Sequence, residues 1–131
     1  MATIRHHARI DRAPDDVWRV VADAGAISEW FPAIEQSSSD GGVRDCTLVN
    51  GAKLREEIVT SDDDLRRFQY RIVDGDMPLE FHLGTVDVIA DGDGSLVVYS
   101  TDLLPDDAKQ QMDGVIAEGL SSLKRHLEAS R

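Results

Sequence analysis

The stretch PDDAKQQMDGVIAEGLSSLKRHL, from Pro105 to Leu127, decides the fold. Met112, Val115, Ile116, Leu120, Leu123 and Leu127 recur at steps of three and four, which gathers apolar side chains into one stripe of an α-helix. Lys109, Gln110, Asp113, Glu118, Lys124 and Arg125 occupy much of the other side. Pro105-Asp106-Asp107 suits a helix start, because proline is tolerated in the first turn and acids favour the positive end of the dipole. At about 1.5 Å per residue, roughly 23 residues make a rod about 35 Å long. The chain has no second rod to pack against it, so a sheet must cover the stripe, and only a curved sheet can do so along its whole length. A curled antiparallel sheet gripping one helix leaves room for a cavity.

Working back from the helix, turn chemistry punctuates the chain at Asp40-Gly41-Gly42, Asn50-Gly51, Ser61 to Asp64, Asp74 to Pro78 and Asp91 to Gly94. The runs between these turns have strand length, which predicts a meander of hairpins over Val43–Val49, Ala52–Val59, Arg67–Val73, Leu79–Ile89 and Ser95–Leu103. Thr3–Ile10 reads as a first strand. Ala13-Pro14-Asp15-Asp16 opens a short helix carrying Val17, Val20, Val21 and Ala24, and a second short helix follows and stops before Pro32. Ser37-Ser38-Ser39 reads as loop.

Strand side chains alternate between faces, so each run has a phase. Phe68, Tyr70 and Ile72 share the inner face, as do Ala52, Leu54, Glu56 and Ile58. Arg44, Cys46 and Leu48 form one face of their run. Val86 and Val88 point inward, and extending that phase adds Gly84 and His82; the opposing Leu79, Phe81 and Leu83 suggest a bulge that shifts register. Val97, Tyr99, Thr101 and Leu103 complete the inner surface. From the helix, Gln111, Val115 and Gly119 face the cavity, flanked by Met112, Ile116, Leu120 and Leu123. Gly84 and Gly119 are expected to leave space where sheet and helix approach. Arg44, Glu56, Tyr70, His82 and Tyr99 thus lie among aliphatics, a costly place for an unpaired charge in a solid core.

The composition bounds the function. The chain has 131 residues and a formal charge of −11, which suits one domain and argues against nucleic acid and anionic membranes as partners. A single cysteine, Cys46, excludes an internal disulfide and a cysteine-based zinc site. No apolar run reaches the ~20 residues of a membrane span, and the N-terminus lacks the apolar core of a secretory signal. A cytoplasmic monomer or weak homodimer without cofactor or metal is expected. Asp91-Gly92-Asp93-Gly94 lacks the ligand series of a calcium loop. His6 and His7 point to opposite faces of a strand, and Gly41-Gly42 has neither the lysine nor the helix of a phosphate loop.

The order of Ala13-Pro14-x-x-Val17-Trp18, Trp30-Phe31-Pro32, Gly42-Val43-Arg44, Leu54-x-Glu56-x-Ile58, Asp62-Asp63, Tyr70-x-Ile72, Pro78-Leu79 and Gly119-Leu120-x-x-Leu123-Lys124 resembles the START-related polyketide cyclase/dehydrase and lipid-transport superfamily over nearly the whole chain. The resemblance implies an α+β helix-grip fold: a seven-stranded curved antiparallel sheet around a long C-terminal helix, with two short helices after the first strand. It also implies one START-like domain, residues 1–131, with a hydrophobic ligand inside. Some members cyclise or dehydrate polyketides; others, similar to plant abscisic-acid receptors, bind and signal. By position Asn50-Gly51-Ala52 corresponds to the receptors' gate and Gly75-Asp76-Met77-Pro78 to their latch, but those motifs are not reproduced. Glu56 matches the receptors' pocket glutamate, and His82 stands where the family often has tyrosine.

The expected ligand-binding residues are Arg44, Leu48, Leu54, Glu56, Ile58, Tyr70, Ile72, Met77, His82, Gly84, Tyr99, Gln111, Val115 and Gly119. Glu56 can hold a ligand hydroxyl or act as a general base; its alternative role is an ion pair with Arg44. His82 can shuttle a proton near neutral pH or serve as a hydrogen-bonded wall residue. Trp18 reads as core, and Trp30 and Phe31 pack beneath or beside the cavity mouth. Three functions remain open. The first is binding of a lipid, polyketide or isoprenoid-like molecule. The second is a cyclase or dehydratase, with Glu56 or His82 as base and Arg44 or Tyr70 as electrophile. The third is a protein-docking module, for which 5% aromatic residues supply few anchors.

Overall fold

The computed structural model describes residues 1–129. Strand β1 (Ala2–Ile10) leads into helix α1 (Pro14–Val21) and a 3-10 segment (Ala24–Glu29). Strands β2 (Ile34–Asp40), β3 (Val43–Leu48), β4 (Lys53–Asp62), β5 (Arg67–Gly75), β6 (Phe81–Asp91) and β7 (Gly94–Leu104) follow. A 3-10 turn (Asp106–Ala108) then opens α2 (Lys109–Ala129). The seven strands form one antiparallel sheet in the order β1-β7-β6-β5-β4-β3-β2. The helix-grip arrangement implied by the resemblance is therefore present. No helix among the described residues is long and apolar enough to cross a membrane.

Helix α1 has no side-chain cap; Pro14 at its start and Asp15 and Asp16 in the first turn set its N-terminus. Trp18 is buried as its spacing predicts, and its Nε1–H donates to Asp63 Oδ1 at 2.9 Å, tying α1 to the β4–β5 turn. The second short helix is a 3-10 segment that ends at Glu29, before Pro32.

Two expectations change. Ser37-Ser38-Ser39 lie inside β2, the edge strand beyond β3, and not in a loop. The strand hides from a pattern reading because both its faces are largely exposed, so no apolar alternation marks it. Ser37 Oγ holds it against the 3-10 segment, donating to the Gly25 carbonyl at 2.7 Å and accepting from Ser28 N–H at 3.1 Å. The β6 bulge is also absent: β6 pairs with β7 without interruption from Phe81↔Leu104 to Asp91↔Gly94. Phe81 and Leu83 lie on the outer face, where the Arg71 guanidinium stands 5.9 Å from the Phe81 ring centroid and covers it. The irregularities fall instead in β2–β3, between Ile34 and Gln36, and in β4–β5, between Arg55 and Glu56 and between Ile58 and Thr60.

Helix α2 approaches the sheet chiefly at β1, and less at β7, rather than lying across every strand. Met112, Ile116, Leu120, Leu123 and Leu127 are buried along it. Its two central glycines differ. A Cβ on Gly119 would stand 2.5 Å from Phe31 Cε2, whereas one on Gly114 would meet nothing within 4 Å. Replacing glycine by alanine inside an exposed helix gains about 0.5–1 kcal/mol, and overpacking a core costs about 1–3 kcal/mol. Gly114→Ala should therefore raise stability in urea denaturation by about 0.5–1 kcal/mol, while Gly119→Ala lowers it despite the same propensity gain. Equal effects at the two sites would show that Phe31 does not occupy the Gly119 gap.

Candidate functional site

Because α2 leans on the β1 edge, a wedge opens between it and the β3–β6 half of the sheet. It is a cavity of about 440 Å³. Leu48, Leu54, Glu56, Tyr70, Ile72 and His82 supply its sheet wall, and Ile27, Phe31, Ala33 and Ile34 one flank. Gln111, Met112, Val115 and Ile116 of α2 face them. Met77, Pro78, Leu79, Pro105, Asp107 and Ala108 form the rim, where Pro78 and Asp107 are exposed.

Arg44 and Glu56 are cross-strand partners of β3 and β4. Their side chains are buried and paired, with Arg44 Nε donating to Glu56 Oε1 at 2.7 Å. Arg44 Nη1 donates to the Ala24 carbonyl at 3.2 Å, and the guanidinium lies 4.9 Å from the Tyr70 ring centroid and 5.4 Å from that of Phe68. Arg44 Nη2 is buried without a hydrogen-bond partner among the described residues, on a guanidinium that stands over these two rings. Cys46 Sγ–H also donates to Oε1, at 3.7 Å. Burial first, and Glu56 second, push the Cys46 thiol up to about 12, so it stays protonated and unreactive.

Tyr70 and Tyr99, both buried, share a hydroxyl–hydroxyl hydrogen bond. Burial above all, with the neighbouring phenol next, holds the Tyr70 pKa well above its ordinary value. His82 Nδ1 accepts the backbone N–H of Ile72 at 3.0 Å. Regular β5–β6 pairing stops at Tyr70↔Gly84, so the imidazole takes over as acceptor where the two strands part. Burial first, and Arg71 second, lower the His82 pKa to about 4. The ring is therefore neutral at pH 7 with its hydrogen on Nε2. It is a fixed donor rather than the near-neutral proton shuttle that its ordinary pKa suggests.

Of the residues expected from sequence, Leu48, Leu54, Glu56, Tyr70, Ile72, Met77, His82, Gln111 and Val115 lie on the cavity wall. Five do not. Arg44 sits behind Glu56, held by it and by Ala24. Ile58 lies one inward step beyond Glu56, level with Tyr70. Tyr99 is covered by Tyr70 and by Phe31, whose ring centroid is 6.3 Å away. The space at Gly84 and Gly119 is filled: a Cβ would stand 2.5 Å from the Tyr70 and Phe31 rings respectively. Sequence reasoning missed Ile27, Ala33, Ile34, Leu79, Pro105 and Ala108 as wall, and gave Met112 and Ile116 to the core. Spacing defines the helical stripe but not which edge of it turns toward the wedge.

Residues 1–128 match the family described as Polyketide cyclase / dehydrase and lipid transport. The chain belongs to this family. No curated protein matches it. Among solved structures, this member of the polyketide cyclase/dehydrase family is similar to XoxI from Bacillus cereus, with 24% identity, a TM-score of 0.90, and coverage of 98% of this chain and 96% of that one. It is also similar to a protein from Thermobifida fusca, at 26% identity and TM-score 0.82, covering 98% of this chain and 95% of that one. Norcoclaurine synthase from Thalictrum flavum, solved with dopamine and hydroxybenzaldehyde, shares the fold at 20% identity and TM-score 0.77, over 99% of this chain and 88% of that one. Family and fold are consistent with binding of a hydrophobic ligand.

Two outcomes follow from the buried groups. Glu56→Leu strands the Arg44 charge and should cost about 3–5 kcal/mol, while Arg44→Met with Glu56→Leu should recover most of that loss in urea denaturation. A double variant no more stable than the single one would deny the pairing. The second outcome concerns pH. The unfolded chain protonates His82 near 6.5 and the folded chain near 4, so this contribution is fully present above 6.5 and is lost as pH falls through 4. The gap is worth about 3 kcal/mol at about 1.4 kcal/mol per pH unit. Between pH 7 and pH 4 the wild-type chain should lose up to that much more stability than His82→Gln. Parallel losses would mean that the imidazole is not held neutral.

Proposed function

We propose that the chain, acting as one START-like domain, binds a small hydrophobic molecule such as a lipid, polyketide or isoprenoid-like compound between the sheet and α2. The observation that carries this reading is the 440 Å³ cavity, lined chiefly by aliphatic side chains with Glu56 and His82 as inner polar points. Small-molecule sites occupy roughly 300–1,000 Å³ and combine apolar walls with a few placed polar groups. An ordinary packed core leaves few voids larger than a water molecule.

A cyclase or dehydratase is the second reading, since Glu56 lies on the wall and a general base must reach a ligand proton. Two observations weigh toward binding. Oε1 of Glu56 already accepts from Arg44 and Cys46, and the Nδ1 lone pair of His82 is taken by Ile72. Both candidate bases are thus partly committed to the structure.

The test is fluorescence titration with Nile red, a neutral apolar dye. One dye should bind per chain. Val115→Trp, which projects a large ring from α2 into the wedge, should weaken binding by about tenfold or more while costing no more than about 1–3 kcal/mol of stability. Unchanged dye affinity in a folded Val115→Trp protein, or no saturable binding to the wild type, removes the cavity as the site.

A further inference from the structure

Building on that binding reading, we infer that the guest is a neutral molecule bearing a hydroxyl, which accepts from His82 Nε2–H and donates to Glu56 Oε2. Glu56 of β4 and His82 of β6 both line the cavity, on either side of Ile72 of β5. Ile72 is the register partner of Glu56, and its N–H donates to His82 Nδ1. An acceptor on β4 and a donor on β6 therefore face the cavity with β5 between them. Both hydrogen bonds to the Glu56 side chain among the described residues end on Oε1, which leaves Oε2 as the acceptor. With Nδ1 accepting, a neutral His82 ring carries its hydrogen on Nε2. An acceptor beside a donor is the complement of a hydroxyl, which both donates and accepts.

The charges lining the cavity settle the rest. Among the described residues no Lys or Arg lines it, and the two charged ones that do, Glu56 and Asp107, are both acids. Arg44 is spent on Glu56 and does not reach the cavity. The Tyr70 hydroxyl is bonded to Tyr99. A carboxylate guest would enter a low-dielectric site beside an acid with no counter-charge of its own, a cost a neutral alcohol or phenol avoids. The same cavity should thus reject a free fatty acid and accept the corresponding alcohol.

The experiment is calorimetric titration of the whole chain at neutral pH with nonanol, para-pentylphenol, nonyl methyl ether and nonanoate. The alcohol or the phenol should bind at least about tenfold tighter than the ether, which cannot donate, and than nonanoate; the two hydroxyl arms tell a chain carrier from a ring carrier. His82→Leu removes a donor that the alcohol and the ether can both use, so it should weaken nonanol by about fivefold or more and leave the preference for nonanol over its ether in place; if that variant does not fold, the wild-type series still decides. Nonanoate binding as tightly as nonanol, an ether matching its alcohol, or an unchanged nonanol affinity in folded His82→Leu overturns the hydroxyl assignment while dye binding keeps the cavity reading. Failure of all four guests where Nile red binds overturns it too. Failure of Nile red as well overturns both.

Discussion

A guanidinium with 1% of its surface exposed sits on the inner face of the sheet at Arg44, and the wall around it is arranged to tolerate that charge. Removing an ion from water costs several kcal/mol even after relaxation. The compensation comes from several elements at once: Glu56 across the β3–β4 ladder, the Ala24 carbonyl at the start of the 3-10 segment, and the Tyr70 and Phe68 rings of β5. Each partner is fixed by the contact it makes. Glu56 is held at the cavity wall, and the Tyr70 ring is laid against the β6 backbone at Gly84, where its hydroxyl reaches Tyr99. The ion pair thus organises the wall while itself remaining outside the cavity.

Much of this was legible in the chain. The stripe from Met112 to Leu127 required a sheet to cover it, and the two-residue alternation placed Arg44, Cys46, Leu54, Glu56, Phe68, Tyr70, His82, Val86, Val97 and Tyr99 on the inner face, where all are buried. The glutamate–arginine pairing was visible as one of two alternatives. What stayed hidden has physical causes. β2 bears no alternation because it is an edge strand exposed on both sides. Phe81 and Leu83 suggested a slip in register because the cation that shields Phe81, Arg71, belongs to a different strand. The neutral state of His82 comes from its burial and from Arg71, and its tautomer from Ile72 N–H, a backbone contact that side-chain identity does not encode.

The glycines show how a correct premise led to the wrong place. Gly84 and Gly119 do mark close approaches, but the room they free is taken by Tyr70 and Phe31. With those rings inserted, and with Tyr99 sealed beneath them, the centre of the grip is solid. The hollow is displaced toward β4, the parted ends of β5 and β6, and the 76–80 segment. That displacement explains why Ile58, Gly84, Tyr99 and Gly119 lie off the wall while Leu54, Ile72, His82 and Val115 lie on it.

The split between β5 and β6 also bears on chemistry. Beyond Tyr70↔Gly84 a regular ladder would join Ile72 to the β6 backbone; the imidazole of His82 takes that role instead. A side chain that completes a sheet cannot also give and take protons freely, because protonating Nδ1 would break the bond that closes the strand ends. The same holds on the other side of Ile72, where Glu56 Oε1 neutralises a buried cation. Each group has one function bound to the fold and one atom turned to the cavity. A wall built this way offers fixed polarity, a donor and an acceptor at set positions, which suits selecting a guest by its hydrogen-bonding pattern more than driving a proton through a reaction cycle.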